Sequence, residues 1–258
     1  MQPDLFETVK ELPKGKIAVW FSCGAASAVA AKLTIDKYPD CEVRVVYNPV
    51  IEEDEDNLRF LKDVEKWIGK EIELAYNPKY PEGSAQVVWD KARFMSGPLG
   101  APCTIKLKKD ARQHWEKDNK PDWHVLGFTV EEKKRHERFI TSERDNVIPV
   151  LIDAGYTKQD CLNLILGSGI EPPRVYKMGY PNANCIGCVK ASSPTYWNHV
   201  REKHPEVFKK RMETSEELGS KLVILKGKRI SLKDLPVDAK GRDLKSMDFD
   251  CGIFCEER

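Results

Sequence analysis

Lys16-Ile17-Ala18-Val19-Trp20-Phe21-Ser22-Cys23-Gly24-Ala25-Ala26-Ser27 is the stretch that decides the fold. Lys16 to Phe21 is a short run rich in β-branched and aromatic residues and bounded by turn signals, which reads as a buried strand. Ala25 to Tyr38 is then apolar at helical spacing and stops at Pro39. Small residues at such a turn let the backbone pass close to a ligand. The helix start adds unpaired N–H groups and the positive end of its dipole, and Ser22 and Ser27 add hydroxyls. The turn is a candidate anion site; the plainer reading is a tight turn with a serine cap.

Working outward, Glu42 to Tyr47 reads as a second strand and Glu71 to Tyr76 as a third. Between them Glu55 to Ile68 places Leu58, Leu61, Val64, Trp67 and Ile68 on one helical face. Strands alternating with helices predict a parallel sheet wound by right-handed crossovers, with ligands at its carboxyl edge. Trp123 to Phe128 is a fourth strand, followed by a charged helix from Thr129 to Ser142. Beyond Pro149 the chain changes character. A helix over Lys158 to Leu166 precedes a Pro/Gly/Asn-rich stretch from Glu171 to Gly187. Helices over Pro194 to Leu218 and a hairpin of Leu222–Leu225 with Arg229–Leu232 follow. The expected organisation is an α/β domain over residues 1–150 and a helical, cysteine-bearing region over 151–258.

Lys+Arg total 42 against 41 Asp+Glu in 258 residues, so no global charge draws the chain to nucleic acid or anionic membrane; a local basic patch stays open. The apolar runs are too short for a membrane span, and Met1 to Lys16 lacks a signal-type apolar stretch, so a cytoplasmic address without a membrane partner is expected. In that reducing compartment the eight cysteines are not a disulfide scaffold. Cys23, Cys41, Cys103 and Cys161 stand alone, whereas Cys185 and Cys188 form a C-x2-C and Cys251 and Cys255 a C-x3-C. Two close pairs point to a metal.

The ordered motifs resemble those of the superfamily of PAPS reductases and ATP pyrophosphatases, the adenine nucleotide alpha hydrolase-like proteins. The first turn is similar to that family's S-G-G-x-D-S pyrophosphate loop: Ser22, Gly24 and Ser27 match, Cys23 replaces the first glycine and Ala26 the aspartate. Losing that carboxylate points away from a loop-bound magnesium and toward the reductase branch, whose loop holds a phosphosulfate. The acidic loop Val50 to Asn57 lies at the edge that faces the nucleoside in the family; alternatively its charges complement a helix dipole. Pro102 to Lys109 resembles the family's cysteine-then-lysine segment, with Cys103 placed 82 positions before Cys185. Gly127, Glu132 and Arg135 match the segment after the fourth strand, where Thr129 stands for the first arginine. Tyr176 to Cys188 resembles the Y-x-x-G-Y-x-x-x-G-C-x-x-C stretch and is the most specific of these matches.

The resemblance implies a three-layer α/β/α parallel sheet with a smaller C-terminal metal-thiolate region. It implies an adenine-nucleotide site in which Ser22, Cys23, Gly24, Ala25, Ser27 and Gly127 cradle phosphates while Lys106, Arg135 and Arg138 neutralise anionic oxygens. Two metal sets stay open: zinc in Cys185, Cys188, Cys251 and Cys255, or a [4Fe-4S] cluster on Cys103, Cys185 and Cys188 with or without a tail cysteine. The tail Asp250-Cys251-Gly252-Ile253-Phe254-Cys255 also resembles the reductases' E-C-G-x-H, which would make Cys251 a thiolate attacking a sulfonyl sulfur. The implied activity is sulfur-centred redox chemistry on a sulfonucleotide, with a small redox protein as electron donor. Its rivals are ATP-dependent thiolation of a nucleic-acid base and a non-catalytic nucleotide-binding protein with structural zinc.

Overall fold

The computed structural model describes residues 13–97 and 100–244. Four parallel strands, β1 (Lys16–Phe21), β2 (Glu42–Tyr47), β3 (Ile72–Leu74) and β4 (Trp123–Val125), form a sheet of order β3-β2-β1-β4. Its crossovers carry α1 (Ala25–Lys37), α2 (Asp56–Ile68), α3 (Ala85–Ala92) and α4 (Asp110–Asn119), and α5 (Lys133–Ser142) follows β4.

The strand period of two sorts side chains into two cores. Ile17, Val19 and Phe21 of β1 join Val29 of α1 and Phe60 and Val64 of α2 on one face. Ala18 and Trp20 join Trp115 of α4 and Phe139 of α5 on the other. Helices therefore cover both faces, and the architecture is the three-layer α/β/α one. Val19, Val29, Val45 and Phe60 are fully enclosed, and each such side chain contributes roughly 1.5–3 kcal/mol of transfer free energy.

The buried face of α2 is Asn57, Phe60, Leu61, Val64 and Ile68, while Leu58 points to solvent at 57% exposure. Leu61, Val64 and Ile68 lie on the face the sequence predicts and Trp67 packs against it, whereas Phe60 takes the buried place expected for Leu58. The helix ends at Gly69 in the left-handed region (φ 66°).

Two helices carry no clear apolar period in the sequence. In α3, Ser84 caps the start, its Oγ accepting from the Val87 N–H at 3.4 Å, and the Glu52 carboxylate accepts from the N–H groups of Ala85 (2.8 Å) and Gln86 (3.0 Å). Ahead of α4 the chain makes a π-helical turn (Thr104–Lys109), which buries Thr104, Leu107 and Lys108. The charged helix expected from Thr129 begins as a 3₁₀ turn (Val130–Glu132), with Thr129 and Glu132 forming a capping box.

Beyond residue 149, α6 (Val150–Asp153) and α7 (Lys158–Gly167) pack on α1. Leu151, Cys161 and Ile165 sit in the same core as Val19, so buried side chains run continuously across that point of the chain. A short helix α8 (Arg174–Lys177) precedes α9 (Pro194–Lys203) and α10 (Pro205–Glu217). An antiparallel hairpin of β5 (Val223–Leu225) and β6 (Lys228–Ile230) comes next, around Lys226 and Gly227. Among the described residues no helix is long and apolar enough to cross a membrane.

Candidate functional site

In a sheet ordered β3-β2-β1-β4, the chain leaves β1 toward β2 on one side, while β4 lies on the other. The carboxyl ends of β1 and β4 therefore diverge, and a crevice opens at this switch point. A cavity of about 490 Å³ occupies it. One wall is Phe21, Ser22 and Gly24 to Ser27 with Leu126, Gly127 and Phe128. The other is Tyr176 and Gly179 to Asn184, with Lys158, Gln159 and Leu162 of α7 alongside.

The loop after β1 is closed on itself. Ser27 Oγ accepts from the Ser22 N–H (3.1 Å) and hydroxyl (3.2 Å) and donates to the Gly24 carbonyl (2.9 Å). Cys23 holds a left-handed φ of 54°, a conformation that favours glycine, and its side chain is fully buried. Its Sγ contacts the Asn57 carbonyl at 3.7 Å. Burial, then the Glu53 carboxylate, push the Cys23 thiol well above its usual range, so it is neither a thiolate nor a cavity contact. A Cβ on Gly127 would stand 2.9 Å from the Ser27 nitrogen and 3.1 Å from the Ala26 carbonyl carbon. Only a glycine lets the β4 end approach the start of α1 this closely. Tyr176 reaches the same helix start, its hydroxyl accepting from the Ala25 N–H at 3.4 Å.

Of the side chains expected at an anion site, Ser22, Gly24, Ala25, Ser27, Gly127 and Arg135 line the cavity; Cys23, Lys106 and Arg138 do not. Lys106 pairs instead with Asp110 at 2.9 Å on the surface. Arg138 is exposed on α5. Arg135 donates to Glu132 at 2.9 Å and lies 5.2 Å from the centre of the Phe128 ring.

Lys108 lines the cavity two residues after Lys106, brought inward by the π-helical turn. Its ammonium donates to the Asn48 carbonyl at 2.6 Å and to Glu53 at 2.8 Å, with both side chains only 7% exposed. Glu53 also accepts from Tyr47 and from Asn57 (3.2 Å). The only sequence signal for this pair is a lysine directly beside Leu107 on a buried face.

The acidic loop Val50 to Asn57 contributes nothing to the cavity lining; it brackets the far wall. Asp54 pairs with Arg174 at 2.8 Å, and Asp56 accepts from the Arg174 N–H at 2.8 Å. The Asn57 amide donates to the Ala183 carbonyl at 3.3 Å, and the Ile186 N–H donates to the Glu52 carbonyl at 2.9 Å.

That wall runs directly into Cys185 and Cys188. Gly187 makes the turn between them at φ 68°, and Tyr196 pins it: its hydroxyl accepts from the Cys188 N–H at 2.8 Å and donates to the Cys185 carbonyl at 3.4 Å. Two thiols on one short turn suit chelation of a thiolate-bound metal. Among the described residues, however, no three His, Cys, Asp or Glu side chains are placed to hold a metal ion. Cys251 and Cys255, the remaining expected ligands, lie outside the described residues. Cys41 and Cys161 take no part; burial pushes the Cys161 thiol up to about 12.

The chain is thus a parallel α/β protein with a cation-lined cavity at the switch point of its sheet, the place where such sheets accept ligands. No protein family and no curated protein matches the chain by sequence. Solved structures similar to it include the following two. One is the phosphoadenylyl-sulfate (PAPS) reductase from Candida auris in complex with phosphate, at 9% identity and a TM-score of 0.45, covering 69% of this chain and 84% of that one. The other is the U34-tRNA thiolase NcsA from Methanococcus maripaludis with its [4Fe-4S] cluster, at 13% identity and a TM-score of 0.47, covering 93% of this chain and 83% of that one. Identities this low transfer no residue role to this chain.

Proposed function

We propose that the chain is an enzyme of nucleotide-dependent sulfur chemistry, binding an adenine nucleotide or sulfonucleotide in the switch-point cavity. The observation that carries the reading is continuity. Ser22, Gly24 to Ser27, Gly127, Arg135, Tyr176 and Gly179 to Asn184 enclose one cavity, and Asn184 leads directly into the Cys185–Cys188 turn. An anion-binding loop and a thiol pair thus share a single support. Ala26 leaves no carboxylate on the loop to carry a magnesium ion, which favours a sulfonucleotide over ATP cleavage.

Cys185 and Cys188 are the residues that would hold a metal centre, with Cys251 and Cys255, or Cys103 and a tail cysteine, completing it. A [4Fe-4S] cluster there supplies redox or sulfur-carrying capacity, whereas zinc supplies structure. Cys251 is the proposed attacking thiolate if it is not a ligand.

Thiolation of a nucleic-acid base is the second reading, favoured by the exposed Lys133, Lys134 and Arg138 on the same helix as Arg135. The test is anaerobic purification, metal and acid-labile sulfide analysis, and assay of sulfite release from adenylyl sulfate with a dithiol donor. Sulfite release abolished by Ser27→Ala supports the reductase reading. ATP consumption that requires RNA, with no sulfite, moves the assignment to thiolation. One zinc per chain with neither activity contradicts both.

A further inference from the structure

Three cations line the cavity, and two are answered from within the protein. Lys108 is held by Glu53 and the Asn48 carbonyl. Arg135 is held by Glu132, the one acidic residue of the lining. Lys158, the first residue of α7, differs. Its backbone N–H donates to the Glu131 carboxylate at 3.1 and 3.3 Å, which latches the helix start to the turn after β4. The Thr157–Asp160 capping box secures the same end. Yet no acceptor among the described residues lies within hydrogen-bond or ion-pair distance of its ammonium. The backbone is fixed and the exposed side chain lines the cavity, with the Glu131 carboxylate near enough to act on its charge but not paired with its ammonium.

The opposite wall offers hydrogen bonds but no full charge. Its loop is Ser22 to Ser27, without a basic residue, and Ala26 leaves no carboxylate on it for a cation to bind. An anion seated there must be met by a side-chain cation, and Leu126, Phe128, Leu162 and Tyr180 lower the dielectric around that meeting. A lysine suits the task because its ammonium is a point charge on a flexible stem and can follow an oxygen of unfixed direction.

We propose that Lys158 is the specificity-determining residue for the anionic part of the ligand, making the cavity take a nucleotide in preference to the nucleoside. This rests on the nucleotide reading above and assigns how charge is read at that site. Lys158 acts by contact with the phosphate or sulfate; the base is left to the remaining walls.

The experiment is calorimetric titration of the full chain and of Lys158→Met and Lys158→Arg with ATP, adenylyl sulfate, adenosine and inorganic pyrophosphate. Circular dichroism checks that each variant is folded. In Lys158→Met the affinity for the three anionic probes falls about 10- to 100-fold, adenosine binding is unchanged, and Lys158→Arg recovers most of the loss. Anion affinities equal to those of the unaltered chain, or an equal loss for adenosine, overturn the assignment. An unaltered chain that binds pyrophosphate through Lys158 but no adenosine-containing probe contradicts the nucleotide reading and keeps the anion assignment.

Discussion

The two walls of the cavity are held in different ways. The wall after β1 and β4 is backbone packed on backbone: Gly127 lies against Ala26 and Ser27, and the loop's hydroxyls close on its own carbonyl and N–H groups. The wall from Tyr176 to Asn184 has no strand beneath it; Tyr180 and Ala183 anchor it in the core, and polar ties from the loop after β2, through Asp54, Asp56 and Asn57, hold its edge. The first is as stable as the sheet itself. The second, resting on side-chain contacts alone, is expected to loosen at lower cost than the sheet, and the cysteine turn continues from it. A site built this way has one rigid half for the anion and one adjustable half for whatever the thiols do.

Mutations separate the halves. The largest effect belongs to the buried Lys108–Glu53 pair, which lies under the junction of both walls. Lys108→Met strands a carboxylate in the core, and urea unfolding is expected to show a loss of about 3–5 kcal/mol. Acid comes next. His124 is buried against the Arg144 guanidinium and accepts from Trp20 Nε1 at 3.1 Å. Burial, then Arg144 and Arg112, bring its pKa down to about 3 from an unfolded value of 6.5. The unfolded chain therefore takes the proton first. The group costs nothing above pH 6.5, and stability falls as pH drops from there toward about 3, by roughly 2–4 kcal/mol. His124→Asn should flatten that part of the pH profile; an unchanged slope would assign the acid sensitivity to the carboxylates.

Gly127→Ala forces a Cβ into backbone and is expected to cost about 1–3 kcal/mol and to abolish nucleotide binding by pushing the loop from α1. On the far wall, Tyr196→Phe removes both hydrogen bonds that pin the cysteine turn. It should cost about 1 kcal/mol, leave adenosine affinity intact and lower metal content. Equal losses of nucleotide and metal there would mean that the walls are not independent. The smallest effect is Lys106→Ala, whose exposed pair with Asp110 predicts a change within about 0.5 kcal/mol and no change in affinity.

These contrasts also show what could be read ahead of the structure. The strand–loop–helix of Lys16 to Lys37 was legible because apolar run, small-residue turn and helical period agree within twenty-odd residues. The sheet order follows from parallel crossovers but needed β4 placed beside β1, which no local pattern encodes. Lys106 stood out as a phosphate ligand because a lysine run suggests charge, not direction; the π-helical turn sends Lys108 inward instead. The acidic loop suggested a ligand edge, whereas its carboxylates are taken up inside the protein, Glu52 by the start of α3, Glu53 by Lys108 and Asp54 by the distant Arg174, pairings composition cannot register. Lys158 gave no signal, since a lysine opening a capped helix is ordinary until its neighbours are known. The tail cysteines were legible as a motif and lie outside the described residues.

The central claim is that an adenine nucleotide seats its anion on the loop after β1. The direct test is a titration of uniformly labelled protein followed by amide chemical shifts. The amides of Gly24, Ala26, Ser27 and Gly127 are expected to move first and most, with those of Val50 to Asn57 nearly still. Shifts centred on the acidic loop, or none at saturating nucleotide, would contradict it.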